Sequence, residues 1–190
     1  DNFRRNATEE QKRAILPKAC SGEYIGCLGI TEPNAGSDAM GMSTRAVRAG
    51  NRFVINGSKT FITNGTVADV MLFYAKTDRA RGPHGISAFY FLTDSVTGMT
   101  REKIDKWGMR ASPTALITFE DMELSEENLI GGLNKGGAIL TNGLCTERIT
   151  LSGCCLGSQR ACLELSIRYA QQRVQYGKPI SSFQFIQGKL

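Results

Sequence analysis

Apolar and polar positions alternate through the middle of the chain and settle into a helical period towards its end. Near the start, Thr8-x-x-Gln11 has the form of a capping box, in which the two side chains satisfy each other's free backbone N–H groups. It predicts a short helix through Gln11, Ala14, Ile15 and Leu16 that Pro17 stops or bends. From residue 24 to about 119 the pattern predicts β structure. Arg52-Phe53-Val54-Ile55, then Asn56-Gly57, then residues 58–63 read as a hairpin, because Asn-Gly suits a type I′ turn. Residues 70–75 and 86–92 are apolar strand-like runs separated by a loop at Gly82-Pro83, and residues 115–119 complete the set. Many short strands joined by turns predict a compact β-barrel or sandwich. Residues 120–133 read as a polar connector with Gly131-Gly132. From about Lys135 the period is helical. Leu140, Leu144, Glu147, Leu151, Cys155, Ser158, Cys162, Leu165 and Tyr169 follow at steps of three or four, which predicts one long helix ending near Tyr176-Gly177-Lys178-Pro179. Ser181 or Ser182 then caps a further helix from Phe183. The expected class is α+β, a central β-barrel or sandwich flanked by helical segments.

Composition narrows the function. The 190 residues suffice for a substantial core, and a net charge of +5 is modest. The basic residues form no stripe of the kind a nucleic-acid surface needs, and the cluster Lys76-Thr77-Asp78-Arg79-Ala80-Arg81 reads as a solvated loop. No apolar run approaches the roughly 20 residues needed to span a bilayer. Asp1-Asn2-Phe3-Arg4-Arg5 carries no signal-peptide pattern. Six cysteines occur without metal spacing; Cys154, Cys155 and Cys162 read as small buried apolar residues of the helix. No metal site is expected, a reducing compartment fits, and His84 reads as a surface residue of the Gly-Pro loop. The chain lacks an initiator Met and stops at Gly188-Lys189-Leu190 within an apparent helix, as expected of part of a longer protein.

Two features carry candidate chemistry. The run Leu28-Gly29-Ile30-Thr31-Glu32-Pro33-Asn34-Ala35-Gly36-Ser37-Asp38 turns from apolar to small and polar, a strand feeding a tight loop. Gly36 lets backbone approach a ligand, and Thr31 and Ser37 add hydroxyls. The same pattern equally describes an ordinary turn. Glu147 sits on the apolar stripe of the long helix between Leu144 and Leu151. Burial there raises a carboxylate pKa, as a general base for a weakly acidic C–H requires. Pattern alone favours a structural role instead, in which Glu147 pairs with a neighbour such as Arg148 or with a basic residue of a helical bundle beyond these residues.

The run at residues 28–38, with Ile55-Asn56-Gly57-Ser58-Lys59-Thr60-Phe61-Ile62-Thr63-Asn64-Gly65, closely resembles the acyl-CoA dehydrogenase family of flavoenzymes. Nearly every region from about Glu23 onward has a counterpart there. Gly143-Leu144-Cys145-Thr146-Glu147-Arg148-Ile149 is similar to the isovaleryl-CoA and long-chain branch, in which the catalytic glutamate immediately precedes an arginine; many isovaleryl-type members have aspartate where this chain has Cys145. The resemblance implies three parts: residues 1–22 ending a helical domain, 23–133 a β domain, and 134–190 opening a helical bundle. It implies FAD-dependent conversion of an acyl-CoA to a trans-2-enoyl-CoA, with Glu147 taking the α-proton and the β-hydride passing to flavin N5. It implies flavin contacts at Leu28, Ile30, Thr31, Gly36, Ser37, Phe61, Ile62 and Thr63, where Phe61 stands at a frequent tryptophan. Arg173 and Gln184 match residues that reach a neighbouring subunit's FAD. Ser37 and Arg148 are expected to contact the CoA substrate. Lys106-Trp107-Gly108-Met109-Arg110-Ala111-Ser112 matches a family segment read as a structural part of the barrel. Partners implied are an electron-transfer flavoprotein and a homotetramer. Relatives reacting with oxygen, or binding flavin or nucleic acid without dehydrogenation, are the alternatives. The departures at Cys145 and Phe61 lean towards a bacterial cytoplasm over a mitochondrial matrix.

Overall fold

The computed structural model describes residues 1–190. They form two compact units, Asp1–Gly143 and Leu144–Leu190.

In the first unit, α1 (Asn2–Asn6) leads to α2 (Glu9–Ser21), which opens on the expected capping box of Thr8 and Gln11. Pro17 does not end α2; the helix continues for four residues to Gly22. A proline removes one internal hydrogen bond, and a helix docked by its side chains tolerates that near its last turn. Gln11 supplies such docking by donating to the carbonyls of Glu127 (2.8 Å) and Leu129 (2.9 Å).

Eight strands follow in one sheet. They are β1 (Gly26–Gly29), β2 (Arg45–Ala49), β3 (Arg52–Thr63), β4 (Val70–Lys76), β5 (Ile86–Leu92), β6 (Met99–Lys103), β7 (Thr114–Ser125) and β8 (Leu129–Ile130). The hydrogen-bonded order is β6-β7-β3-β2-β4-β5-β8, with β1 parallel to β4. The edge strands β6 and β8 do not pair with each other, so no barrel closes. The α+β class stands. Aromatic residues from separate parts of this order meet in one core: Phe53 of β3 packs on Phe89 of β5 (5.2 Å between centroids), and Phe73 of β4 on Phe119 of β7 (5.1 Å). The sheet therefore folds over on itself, and its two halves bury a common face.

Three sequence expectations in this unit are corrected. Asn56-Gly57 is not a hairpin turn. β3 runs straight through it, and the turn is Gly50-Asn51, where Ala49 pairs with Arg52. Gly57 instead sits at a β-bulge with φ 145°, and a Cβ there would lie 2.6–2.8 Å from Thr44. The Asn-Gly signal therefore met its backbone requirement inside a strand. Residues 120–133 are not merely a connector, because β7 extends to Ser125 and β8 follows. Residues 106–112 form a loop between β6 and β7 rather than part of the sheet. Lys106 Nζ closes it on the Ser112 carbonyl at 2.7 Å, and Trp107 is fully exposed.

Helix α3 (Gly136–Gln172) stops short of the expected end near Tyr176-Gly177-Lys178-Pro179, because that stretch folds as strands instead. A hairpin follows, β9 (Val174–Gln175) and β10 (Lys178–Pro179), joined by Tyr176 and Gly177 with φ 52° and 76°, as a type I′ turn requires. Neither Ser181 nor Ser182 caps the last helix, α4 (Gln184–Gln187); its N-cap is Phe183, and Ser182 Oγ bonds back to the Pro179 carbonyl. Cys154, Cys155 and Cys162 are exposed, not buried; of the six free thiols only Cys27 is buried, and burial pushes it up to about 12 against the opposing charge of Arg101.

Candidate functional site

The loop at residues 30–38 hangs from the end of β1. Glu32 and Ala35 exchange backbone hydrogen bonds (3.0 and 3.1 Å) around Pro33-Asn34, a tight turn whose first corner proline presets. Beyond it Gly36 and Ser37 are exposed, and their N–H groups meet no acceptor in the chain. A Cβ on Gly36 would touch nothing within 4 Å, so the backbone faces open space. Leu28, Ile30 and Thr31 are half-buried below the loop.

β3 presents a second surface beside this loop. Thr60 N–H donates to the Thr31 carbonyl at 2.9 Å, which fastens loop to strand. Between Lys59 and Ile62 the register with β7 shifts, so that two residues of β3 oppose one of its neighbour. At this bulge Phe61 takes φ 57° and turns outward, 66% exposed. A left-handed aromatic residue is strained, and bulges of this kind re-aim a side chain. Ile62 returns to the core and Thr63 is exposed. Asn64 then anchors the strand end, its N–H donating to the Pro113 carbonyl and its side chain to the Gly26 carbonyl. Seven of the expected flavin contacts thus lie on two connected segments, with Ile62 beneath them.

Under both segments lies a buried ion pair. Lys59 Nζ is 2.9 Å from Glu32 Oε1, and the two side chains are 0% and 2% exposed. Burial alone drives the Glu32 carboxyl up; the Lys59 charge and hydrogen bonds from Thr44, Lys59 and Ser43 outweigh it and hold Glu32 at about 2. Burial draws Lys59 below its usual range, with Glu32 opposing. Unfolding returns Glu32 to about 4.5, so its contribution to stability is complete above that pH and is lost as pH falls towards 2. Denaturant unfolding measured from pH 5 to 2 is expected to show about 3 kcal/mol of acid loss from this group, at 1.36 kcal/mol per unit. Glu32→Gln is expected to lack that component while being less stable at neutral pH.

A cavity of about 560 Å³ opens elsewhere on the first unit, lined by Met40, Arg81, His84, Lys135, Thr141 and Asn142 among others. It gathers two basic side chains that are far apart in sequence, and the sequence reading missed it. The signal was the cluster ending at Arg81, which is not a solvated loop throughout: Lys76 closes β4, residues 76–78 are half-buried, and Arg81 is exposed in a 3₁₀ segment (Arg79–Gly85) that lines this cavity. His84 is exposed, also as expected.

The second unit carries Glu147, Arg148, Arg173 and Gln184, all exposed. Glu147 does not face a packed side in this chain. The stripe exists: Leu151, Leu165 and Tyr169 share its side of α3, and all are exposed. Ile149, Leu156, Leu163 and Ile167 form a second exposed stripe on another side. A helix apolar on more than one face calls for further packing partners, which this chain does not supply. Arg173 links α3 to the hairpin through backbone bonds to Tyr169 and Ile180 (both 2.8 Å). Gln184 begins α4. No helix is long and apolar enough to cross a membrane.

The pattern of the family described as "Acyl-CoA dehydrogenase, middle domain" matches residues 27–122, and "Acyl-CoA dehydrogenase, C-terminal domain" matches residues 134–190. The chain belongs to the acyl-CoA dehydrogenase family. Among its relatives is the mitochondrial isovaleryl-CoA dehydrogenase of Solanum tuberosum, 44% identical over 187 residues, covering 98% of this chain and 45% of that protein. The glutaryl-coenzyme A dehydrogenase glutaryl-CoA complex superposes with a TM-score of 0.94 at 37% identity, covering 98% of this chain and 47% of the other. PigA with FAD and proline does so at 0.93 and 33%, covering 99% and 49%. The chain spans about half the length of the curated relatives it matches.

Proposed function

We propose that this chain is the flavin-bearing part of an acyl-CoA dehydrogenase, converting an acyl-CoA thioester to its trans-2-enoyl-CoA with FAD as cofactor. The observation that carries the reading is the outward Phe61 at the β3 bulge, fastened beside a loop with free N–H groups. A flat aromatic ring system with polar edges suits such a surface: Phe61 and the half-buried Leu28 and Ile30 offer apolar area, and Thr31, Gly36, Ser37 and Thr63 offer donors. When bound, FAD supplies the acceptor for the hydride.

The remaining work falls to side chains. Glu147 takes the α-proton of the thioester. That proton is too weakly acidic for a carboxylate in bulk water, so the base must work in a water-excluded site. The apolar stripe that carries Glu147 suits such exclusion once covered. Arg148 and Ser37 contact the CoA portion, and Arg173 and Gln184 reach the FAD of a neighbouring subunit in a homotetramer. An electron-transfer flavoprotein takes the electrons onward. The bacterial cytoplasm is the compartment of this reading, a reducing one in which six free thiols persist.

The basic cavity deepens the substrate assignment. Arg81 and Lys135 place two cations where a phosphate-bearing ligand such as CoA is attracted. Replacing both by Ala is expected to raise KM for acyl-CoA by roughly tenfold or more, the loss of one or two charge-assisted contacts, with kcat little changed. Steady-state kinetics at low salt checks it. The overall reading is tested by anaerobic titration of the flavin-loaded protein with a panel of acyl-CoAs. Bleaching of the flavin by at least one member is the expected result; bound flavin that none of them reduces, branched and straight chains included, contradicts it.

A further inference from the structure

We infer that the buried Lys59–Glu32 ion pair is a positioning pair, which sets the loop at residues 31–37 against the Phe61 bulge. Its importance for the cofactor rests on the flavin reading of those two segments; its geometry does not. Lys59 lies on β3 two residues before Phe61, and Glu32 follows Thr31 directly. The ammonium bonds Glu32 Oε1 at 2.9 Å and the Ile30 carbonyl at 3.2 Å, with Met42 Sδ at 3.9 Å. The carboxylate receives Ser43 N–H (2.6 Å), Ser43 Oγ–H (2.7 Å) and Thr44 N–H (3.0 Å). Thr44 Oγ–H in turn donates to the Ser58 carbonyl at 3.2 Å. Three separate segments, residues 30–32, 42–44 and 58–59, therefore converge on two charges. Gly29 supports the approach: a Cβ there would run into Met71 Cε and lie 3.3 Å from Lys59 Cγ.

Stability alone does not account for this arrangement. Desolvating two charges offsets most of their attraction, and well-packed apolar replacements of a buried pair are often neutral or better. What the charges add is direction. Each hydrogen bond fixes the angle and depth of a segment that an apolar contact would let slide. With side chains 0% and 2% exposed, the pair offers a ligand almost no surface and acts through the segments it holds.

Four variants test the inference: Lys59→Met, Glu32→Gln, the double variant Lys59→Met with Glu32→Leu, and Leu124→Ala. Leu124 is buried at the opposite end of the β3–β7 ladder, opposite Phe53, and serves as a control for simple loss of stability. Amide hydrogen exchange is measured without FAD, and FAD affinity is measured separately. The expected result is a rise of more than tenfold in exchange at Ser43, Thr44 and Thr60 in Lys59→Met and Glu32→Gln, beyond any change at Phe73 and Phe89. The double variant regains thermal stability but keeps the local rise, so it decides the question if the single variants fold poorly. Leu124→Ala shows no local excess. FAD affinity falls tenfold or more in the Lys59 variants and less than threefold in Leu124→Ala of equal stability. An even rise across the sheet, or equal FAD affinities at matched stability, overturns the inference. If the unaltered protein binds no FAD, the flavin reading fails, and the exchange data still decide the role of the pair.

Discussion

Glu147→Gln is expected to slow acyl-CoA-driven flavin reduction by about 10²–10⁴-fold, the range that a positioned general base contributes. The amide keeps the shape of the carboxylate but has no basic oxygen to take the α-proton. Because Glu147 is exposed on α3 in this chain, the change is expected to shift the stability of this chain by no more than about 0.5 kcal/mol. FAD affinity is expected to be unaltered, because the proposed cradle at residues 28–37 and 60–63 belongs to other elements. Stopped-flow absorbance under anaerobic conditions separates the outcomes. Near-normal reduction in Glu147→Gln would remove Glu147 from its role, whatever else holds.

Phe73→Ala is expected to cost about 3–5 kcal/mol, the range for removing a large buried aromatic ring. Phe73 is fully buried in β4, and its ring meets Phe89 (5.5 Å), Phe91 (5.7 Å) and Phe119 (5.1 Å). Those contacts come from both halves of the folded sheet, so neighbouring strands cannot close the space without moving apart from their hydrogen-bonded partners. Against a typical total of about 5–15 kcal/mol, the loss threatens the first unit as a whole. A urea midpoint unchanged by the substitution would contradict the shared core.

Local patterns revealed the elements better than their junctions. The capping box at Thr8 and Gln11 follows from its spacing, β4 and β5 from their apolar runs and α3 from a helical period repeated over many residues, but the end of α3 at Gln172 does not, since the period says nothing of the hairpin that replaces its expected last turn. Gly57 misled because a left-handed or bulged glycine reads the same in sequence whether a strand turns there or continues. The true turn, Gly50-Asn51, is a weaker form of the same signal. Lys59 was legible in principle: alternation along β3 places Phe53, Ile55, Gly57 and Lys59 on one face, and that face is the core. A lysine there requires a buried partner, and nothing in the linear sequence names Glu32, since the pairing crosses from one loop to another strand. The outward turn of Phe61 breaks the same alternation through the bulge, which no short-range pattern foretells. The expected flavin contacts came from family resemblance, and the two segments that carry them, residues 28–37 and 60–63, are joined by the Thr60–Thr31 bond. The stripe holding Glu147 was read correctly as a pattern and incorrectly as buried, because a helical period shows which residues share a face and not whether anything packs on that face.

The central claim is that the loop after β1 and the bulge of β3 form one flavin face. Hydrogen exchange of the protein with and without saturating FAD tests it most directly. The account predicts that FAD slows exchange at Thr31, Gly36, Ser37, Phe61 and Thr63 together. Protection confined to other surfaces, such as the cavity at Arg81 and Lys135, with residues 31–37 and 61–63 unchanged, would contradict it.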